Sequence, residues 1–186
     1  EDGPAREYSD GTVEYWLNDK EYSKEDFDKE IAKMNKPKKD KFYYSDGTTS
    51  SEIDWSKILH REDGPACEWY DGVKSWHINN ELHGGGGPAI ECSDGYKVWY
   101  INGKRHREDG PAVEGIDGYK AWYINGKLHR EDGPAVIFNN GDKWWYQNGE
   151  RHREDGPAIE CSDRYKAWWV NGIFKKDETF FFLINI

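Results

Sequence analysis

The sequence predicts an all-β fold: an elongated, twisted antiparallel meander or solenoid of about seven β-hairpin repeats, with one short helix at about residues 24–34. Three observations predict it. Prolines stand at Pro65, Pro88, Pro111, Pro134 and Pro157, histidines at His60, His83, His106, His129 and His152, and tryptophans at Trp76, Trp99, Trp122, Trp145 and Trp168, each series stepping by 23 residues. Each unit also carries two turn dipeptides, Asp-Gly (as Asp117-Gly118) and Asn-Gly (as Asn125-Gly126). Finally, the chain holds 10 Trp, 12 Tyr and 7 Phe in 186 residues, which can supply a thin core where aliphatics are scarce. That content separates it from a disordered chain despite a mean hydropathy of −1.07.

The first segment, residues 1–59, reads as an N-terminal repeat, a helix and a degenerate repeat. The chain opens mid-repeat on Glu1-Asp-Gly-Pro-Ala without a Met, which suggests processing or truncation. Ser23 followed three residues on by Asp26 is a variant capping box, and Phe27, Ile31 and Met34 then share one helical face. The helix is expected to cap a sheet end, because terminal repeats need covering. Lys36-Pro-Lys-Lys-Asp-Lys41 reads as an exposed linker. In residues 42–59 the turn is Ser45-Asp46-Gly47, and Trp55 is displaced in a way that implies a two-residue insertion.

Residues 60–172 form the regular array. Both turn dipeptides suit two-residue hairpin loops, where φ must be positive. On that reading Ile116 faces Tyr119, Glu114 faces Ala121, Val113 faces Trp122 and Ala112 faces Tyr123. Side chains alternate along a strand. The Trp ladder (Trp76, Trp99, Trp122, Trp145, Trp168) would then share a dry face with Val and Ile. Tyr100, Tyr123, Tyr146 and Trp169 would lie opposite, beside Glu91, Glu114 and Glu160. That aromatic, acidic face is the candidate binding surface, since Tyr is favoured at interfaces.

The array breaks at 84–87, where Gly-Gly-Gly-Gly replaces Arg-Glu-Asp-Gly. This should be its softest point. Arg164 occupies a turn-glycine position. Residues 173–186 read as an apolar C-terminal cap, with Phe180-Phe-Phe-Leu-Ile-Asn-Ile186 covering the last dry face or meeting another chain. The three segments are expected to make one continuous domain.

The period, the hairpin units and the recurring Tyr/Trp and Asn-Gly positions resemble MORN-type repeats. The phrase His106-Arg-Glu-Asp-Gly-Pro-Ala112 resembles a divergent variety met in bacterial, bacteriophage and large-DNA-virus proteins. The resemblance spans about residues 60–172 and a fragment at 1–18, and the usual Tyr-x-Gly opening is absent. It implies a scaffold, a dimerisation module or an antitoxin-like component. A lipid-proximal role transfers poorly to a chain of net charge −10.

His-Arg-Glu-Asp offers acid/base and metal-binding groups, yet it recurs at 60–63, 106–109, 129–132 and 152–155. A catalytic centre needs one asymmetric set, so repetition argues for a structural ladder that includes His106, His129 and His152. Gly-x-Ser-x-Gly, Walker, Cys-x-x-Cys and His-Glu-x-x-His motifs are absent. Cys67, Cys92 and Cys161 make neither a disulfide framework nor a zinc site, and read as small core residues. The expectation is therefore no enzyme, no cofactor and no metal, but a cytoplasmic scaffold that binds a protein partner as an inhibitor or antitoxin-like component. The alternatives are a module sequestering a small ligand or nucleotide, such as a viral or phage anti-defence protein, and an acidic DNA mimic. Direct nucleic-acid and membrane binding are disfavoured by charge. A single-layer sheet with a bare dry face further predicts a homodimer.

Overall fold

A computed structural model describes residues 6–7, 13–17, 20–34 and 39–178. The chain divides into two compact units, Glu1–Lys39 and Asp40–Ile186. The boundary therefore falls inside the expected segment 1–59. The degenerate repeat belongs with the array because its strand Lys41–Tyr43 pairs with Cys67–Glu68. Residues 36–38 of the basic run and the tail from 179 onward lie outside the described residues.

In the first unit, Arg6–Glu7, Val13–Leu17 and Lys20–Tyr22 form a three-stranded antiparallel sheet. The helix Lys24–Met34 follows, as the sequence indicates. Ser23 is its N-cap: the Asp26 N–H donates to Ser23 Oγ at 3.2 Å, and Ser23 Oγ–H donates back to the Asp26 carboxylate at 2.9 Å. Phe27 is buried and sets its ring 5.3 Å from that of Tyr15, holding the helix to the sheet.

The second unit is built on a 13-stranded antiparallel sheet. Each regular repeat contributes two short strands, such as Val113–Glu114 and Lys120–Ala121. The chain then turns out of the sheet at its Trp. The Trp122 N–H donates to the Ala135 carbonyl (2.8 Å), and the Trp122 carbonyl accepts from the His129 N–H (3.1 Å). Tyr123–Ile124 and Lys127–Leu128 pair as a separate ribbon across Asn125-Gly126. Equivalent ribbons stand at Asn79-Asn80, Asn102-Gly103 and Asn148-Gly149. The expected continuous strand at 119–124 is thus two strands in two sheets.

The register differs from the expected one by one residue. Val113 faces Ala121 and Glu114 faces Lys120. The Asp-Gly dipeptide does not close a two-residue loop. The Gly118 N–H donates to the Gly115 carbonyl, the Gly115 N–H to the Tyr119 carbonyl, and of these turn residues only Gly118 has positive φ, +91°. This is a type I turn followed by a glycine bulge. A one-residue slip moves every side chain to the other face. The buried face therefore carries Val98, Val113, Ala121 and Val136, with Tyr100, Tyr123, Tyr146 and Leu128 packed against them. The Trp ladder lies on the opposite side. Full burial of each Val contributes about 1.5–3 kcal/mol.

Val98, Val113 and Ala121 are buried within one chain. Cys67 is a core residue as expected, packed with Phe42 and Tyr44, but Cys92 and Cys161 are half-buried at the first position of Asp-Gly-type turns. In the last repeat the strand Lys166–Val170 runs on past the corner and pairs with Ile173–Glu178, with a bulge between Trp168 and Trp169. Arg164 takes the glycine's place at φ +75°, a conformation that costs a non-glycine residue about 1–2 kcal/mol.

Candidate functional site

The His-Arg-Glu-Asp-Gly loops line one side of the array, and each residue has a fixed task. The His side chain fastens neighbouring repeats. His106 Nδ1 accepts the Asn125 backbone N–H at 3.1 Å, and the same bond joins His129 to Asn148 (3.1 Å) and His152 to Asn171 (3.2 Å). Because Nδ1 accepts, the neutral ring carries its proton on Nε2. Nε2 faces the Glu two residues on, as His106 faces Glu108 at 3.6 Å.

The Arg guanidinium lies flat on the repeat's Trp. Arg107 stands 4.0 Å from the Trp99 ring centre, Arg130 4.1 Å from Trp122 and Arg153 4.1 Å from Trp145. The same guanidinium reaches outward and inward. Arg107 Nε donates to Asp109 at 3.0 Å, and its Nη1 donates to the Pro111 carbonyl at 3.2 Å and to Glu114 at 2.7 Å. Arg153 repeats this with Asp155, Pro157 and Glu160. These bonds hold the Asp63, Asp109, Asp132 and Asp155 carboxyls below the usual carboxylate range, the hydrogen bond from arginine being the first cause.

Between successive loops run open grooves. One of about 690 Å³ has Trp145 and Gln147 on its floor, and one of about 480 Å³ has Trp122 and Ile124. A third, of about 440 Å³, has Trp99 and Ile101, but its near wall is Gly85, Gly86 and Gly87. The rims are carboxylates: the side chains of Glu108, Glu131 and Glu154 are 86%, 86% and 81% exposed. The arrangement presents alternating aromatic floors and acidic rims at a constant repeat spacing.

The structure separates the residues that the sequence placed together. Glu114 and Glu160 lie on the Trp side in ion pairs with arginine, and Glu91 pairs with Lys97 Nζ at 3.4 Å. Tyr100, Tyr123, Tyr146 and Trp169 are half-buried on the core side. There Arg105 Nε donates to Tyr100 Oη at 3.2 Å with its guanidinium 5.3 Å from the Tyr123 ring. Arg151 likewise bonds Tyr146 Oη and lies over Trp169. His106, His129 and His152 do form a ladder. Arg107, Arg130 and Arg153 were missed as site residues, although a constant offset of eight from Trp99, Trp122 and Trp145 marks them.

Among the described residues, no group of three His, Cys, Asp or Glu could hold a metal ion. No described helix is long and apolar enough to cross a membrane. No family model matches the chain, and no curated protein matches it.

Proposed function

We propose that this chain is a non-catalytic repeat scaffold that binds a protein partner along the row of acid-rimmed grooves. The observation that carries the reading is repetition of one groove. The grooves over Trp122 and Trp145 are walled and rimmed by the same residue types at the same offsets, and differ on the floor only by Ile124 against Gln147. An equal series of shallow sites suits an extended macromolecular surface better than a single reacting molecule. Glu108, Glu131 and Glu154 at the rims favour a partner with basic residues along its contact. An inhibitor or antitoxin-like role, as the MORN-like phrase implies, fits such a surface.

The test is retention of host proteins by the wild type and by E108Q/E131Q/E154Q, with circular dichroism confirming equal folding. A stoichiometric protein held by the wild type and released by the triple variant supports the proposal. Equal retention by both, or a copurifying small molecule seen in native mass spectrometry with no protein, would overturn it.

A further inference from the structure

Four loops of the array carry a complete internal receptor for a guanidinium group. Each has an aromatic ring beneath, a glycine backbone above, and a proline carbonyl at the edge. Arg61 lies 4.0 Å from the Tyr43 ring, as Arg107, Arg130 and Arg153 lie on their tryptophans. The proline carbonyl accepts at 3.2–3.4 Å in all four. A glutamate at a fixed offset accepts in three of them. A Cβ placed on Gly64, Gly110, Gly133 or Gly156 would meet the arginine Cζ at 2.8, 3.0, 3.1 or 2.9 Å, so the guanidinium is sandwiched between ring and backbone.

The repeat at 84–87 keeps the receptor's ring, proline and glutamate positions and lacks the arginine. Its flanking backbone bonds match those of the others. The Trp76 N–H donates to Ala89 at 2.9 Å, the His83 N–H to Trp76 at 3.0 Å, and the Gly84 N–H to Tyr100 at 3.0 Å, as Arg107 does to Tyr123 at 3.1 Å. Trp76, Pro88 and Glu91 stand in the ring, carbonyl and carboxylate positions, while Gly84 takes the arginine's place and Gly86 the aspartate's. A Cβ on Gly87 would meet nothing nearer than the Gly84 carbonyl oxygen at 3.7 Å, where its siblings meet an arginine Cζ. Among the described residues no cation stands over Trp76. Nor can an arginine at position 84 fill the slot in this conformation. The loop closes on a Gly87 N–H to Gly84 carbonyl bond of 2.9 Å, and a Cβ at Gly84 would run into the Gly87 carbonyl.

We infer that the slot formed by Trp76, Gly87, Pro88 and Glu91 binds a guanidinium group from outside the chain, an arginine side chain presented by a protein partner. In the sibling loops the ring lies 4.0–4.1 Å from the guanidinium and the glycine packs close on its Cζ, a setting that selects a planar cation over the round ammonium of lysine. Glu91 also faces Lys97, but a carboxylate has acceptor sites for both. The loss of charged side chains at 84–86 lowers the wall over which the arginine would enter. The inference names a recognition element for the protein-binding reading, and it is tested without the partner.

The probe is acetyl-arginine-amide, titrated into the full chain labelled with fluorotryptophan, with Trp76→Phe used to assign the Trp76 resonance. That resonance is expected to move saturably at millimolar probe and to respond more weakly to acetyl-lysine-amide. E91Q should weaken binding about tenfold, the loss of one charge-assisted bond. G84R/G85E/G86D restores the sibling sequence and with it the sibling loop conformation, in which the arginine reaches its own ring, so it should abolish binding and raise the melting temperature. An unmoved Trp76 resonance, an equal response to lysine, a uniform drift of all tryptophans, or unchanged binding in a folded triple variant would each overturn the inference. Glu108 shares a groove with Gly87, so E131Q/E154Q, whose grooves hold none of the slot residues, decides the scaffold reading separately.

Discussion

The repeats at 92–114 and 115–137 each bend twice around a glycine, and the two bends differ. At Asn125-Gly126 both residues have positive φ, +50° and +81°, and the loop is two residues long. At Asp117-Gly118 only the glycine does, and the loop is one residue longer. Residue type does not explain the difference, because Asn140-Gly141 turns like Asp117-Gly118: its glycine has φ +90° and its Asn has no positive φ. The bonding does. Asp117 Oδ1 accepts the Tyr119 N–H at 3.2 Å, and Asn140 Oδ1 accepts the Asp142 N–H at 3.1 Å, which closes an Asx turn. In the other class a histidine of the preceding repeat holds the Asn backbone N–H. A neighbour one repeat away therefore decides which turn a dipeptide makes.

The largest effect should come from testing which residues the bulged turn brings inward. Ala121→Glu places a carboxylate opposite Val113, at a position with 0% exposure. Burying an unpaired charge there should cost about 3 kcal/mol or more in urea unfolding. In the two-residue register Ala121 would face Glu114 on a wet face, and the same change would be mild. Gly118→Val is next. Nothing lies within 4 Å of a Cβ at Gly118, so its cost is backbone strain alone, about 2 kcal/mol for a β-branched residue at φ +91°. A value near zero would mean that the bulge is not needed.

Acid should act more gently, and unequally on the two turn classes. Burial holds the His77 imidazole below its ordinary 6.5. The unfolded chain then binds that proton first, so stability falls as pH drops below about 6.5. Asp109, Asp132 and Asp155, on loops that follow Asn-Gly-type ribbons, and Asp63, on the loop after the degenerate repeat, are also held low. Their contribution is present above the usual 3.8 and is lost as pH falls through their lower folded values. Melting temperature against pH should thus show two limbs, the first absent in His77→Phe and the second weakened by salt. A single limb in the wild type would contradict the assignment.

The repeat unit and the helix were readable from the chain because each rests on local chemistry. The His, Pro and Trp series mark the period, and Ser23 with Asp26 marks the helix start. The register was not readable, because Asp-Gly is compatible with a two-residue loop and with a bulged one, and these differ by a single residue. That slip put tryptophan in the core and tyrosine outside, the reverse of the structure. The arginine–tryptophan stacks were lost with it, since they exist only when Trp99, Trp122 and Trp145 share a side with Arg107, Arg130 and Arg153.

The histidine fastener has a kinetic consequence. His60, His83, His106, His129 and His152 each reach an asparagine 19 residues further on. Closing a loop costs entropy that grows with its length, so every one of these closures carries the same cost. Docking a repeat onto a formed neighbour is then the same elementary step at every place in the array, with no distant partner to wait for. A chain assembled in this way can gain or lose whole repeats without slowing the closure of those that remain.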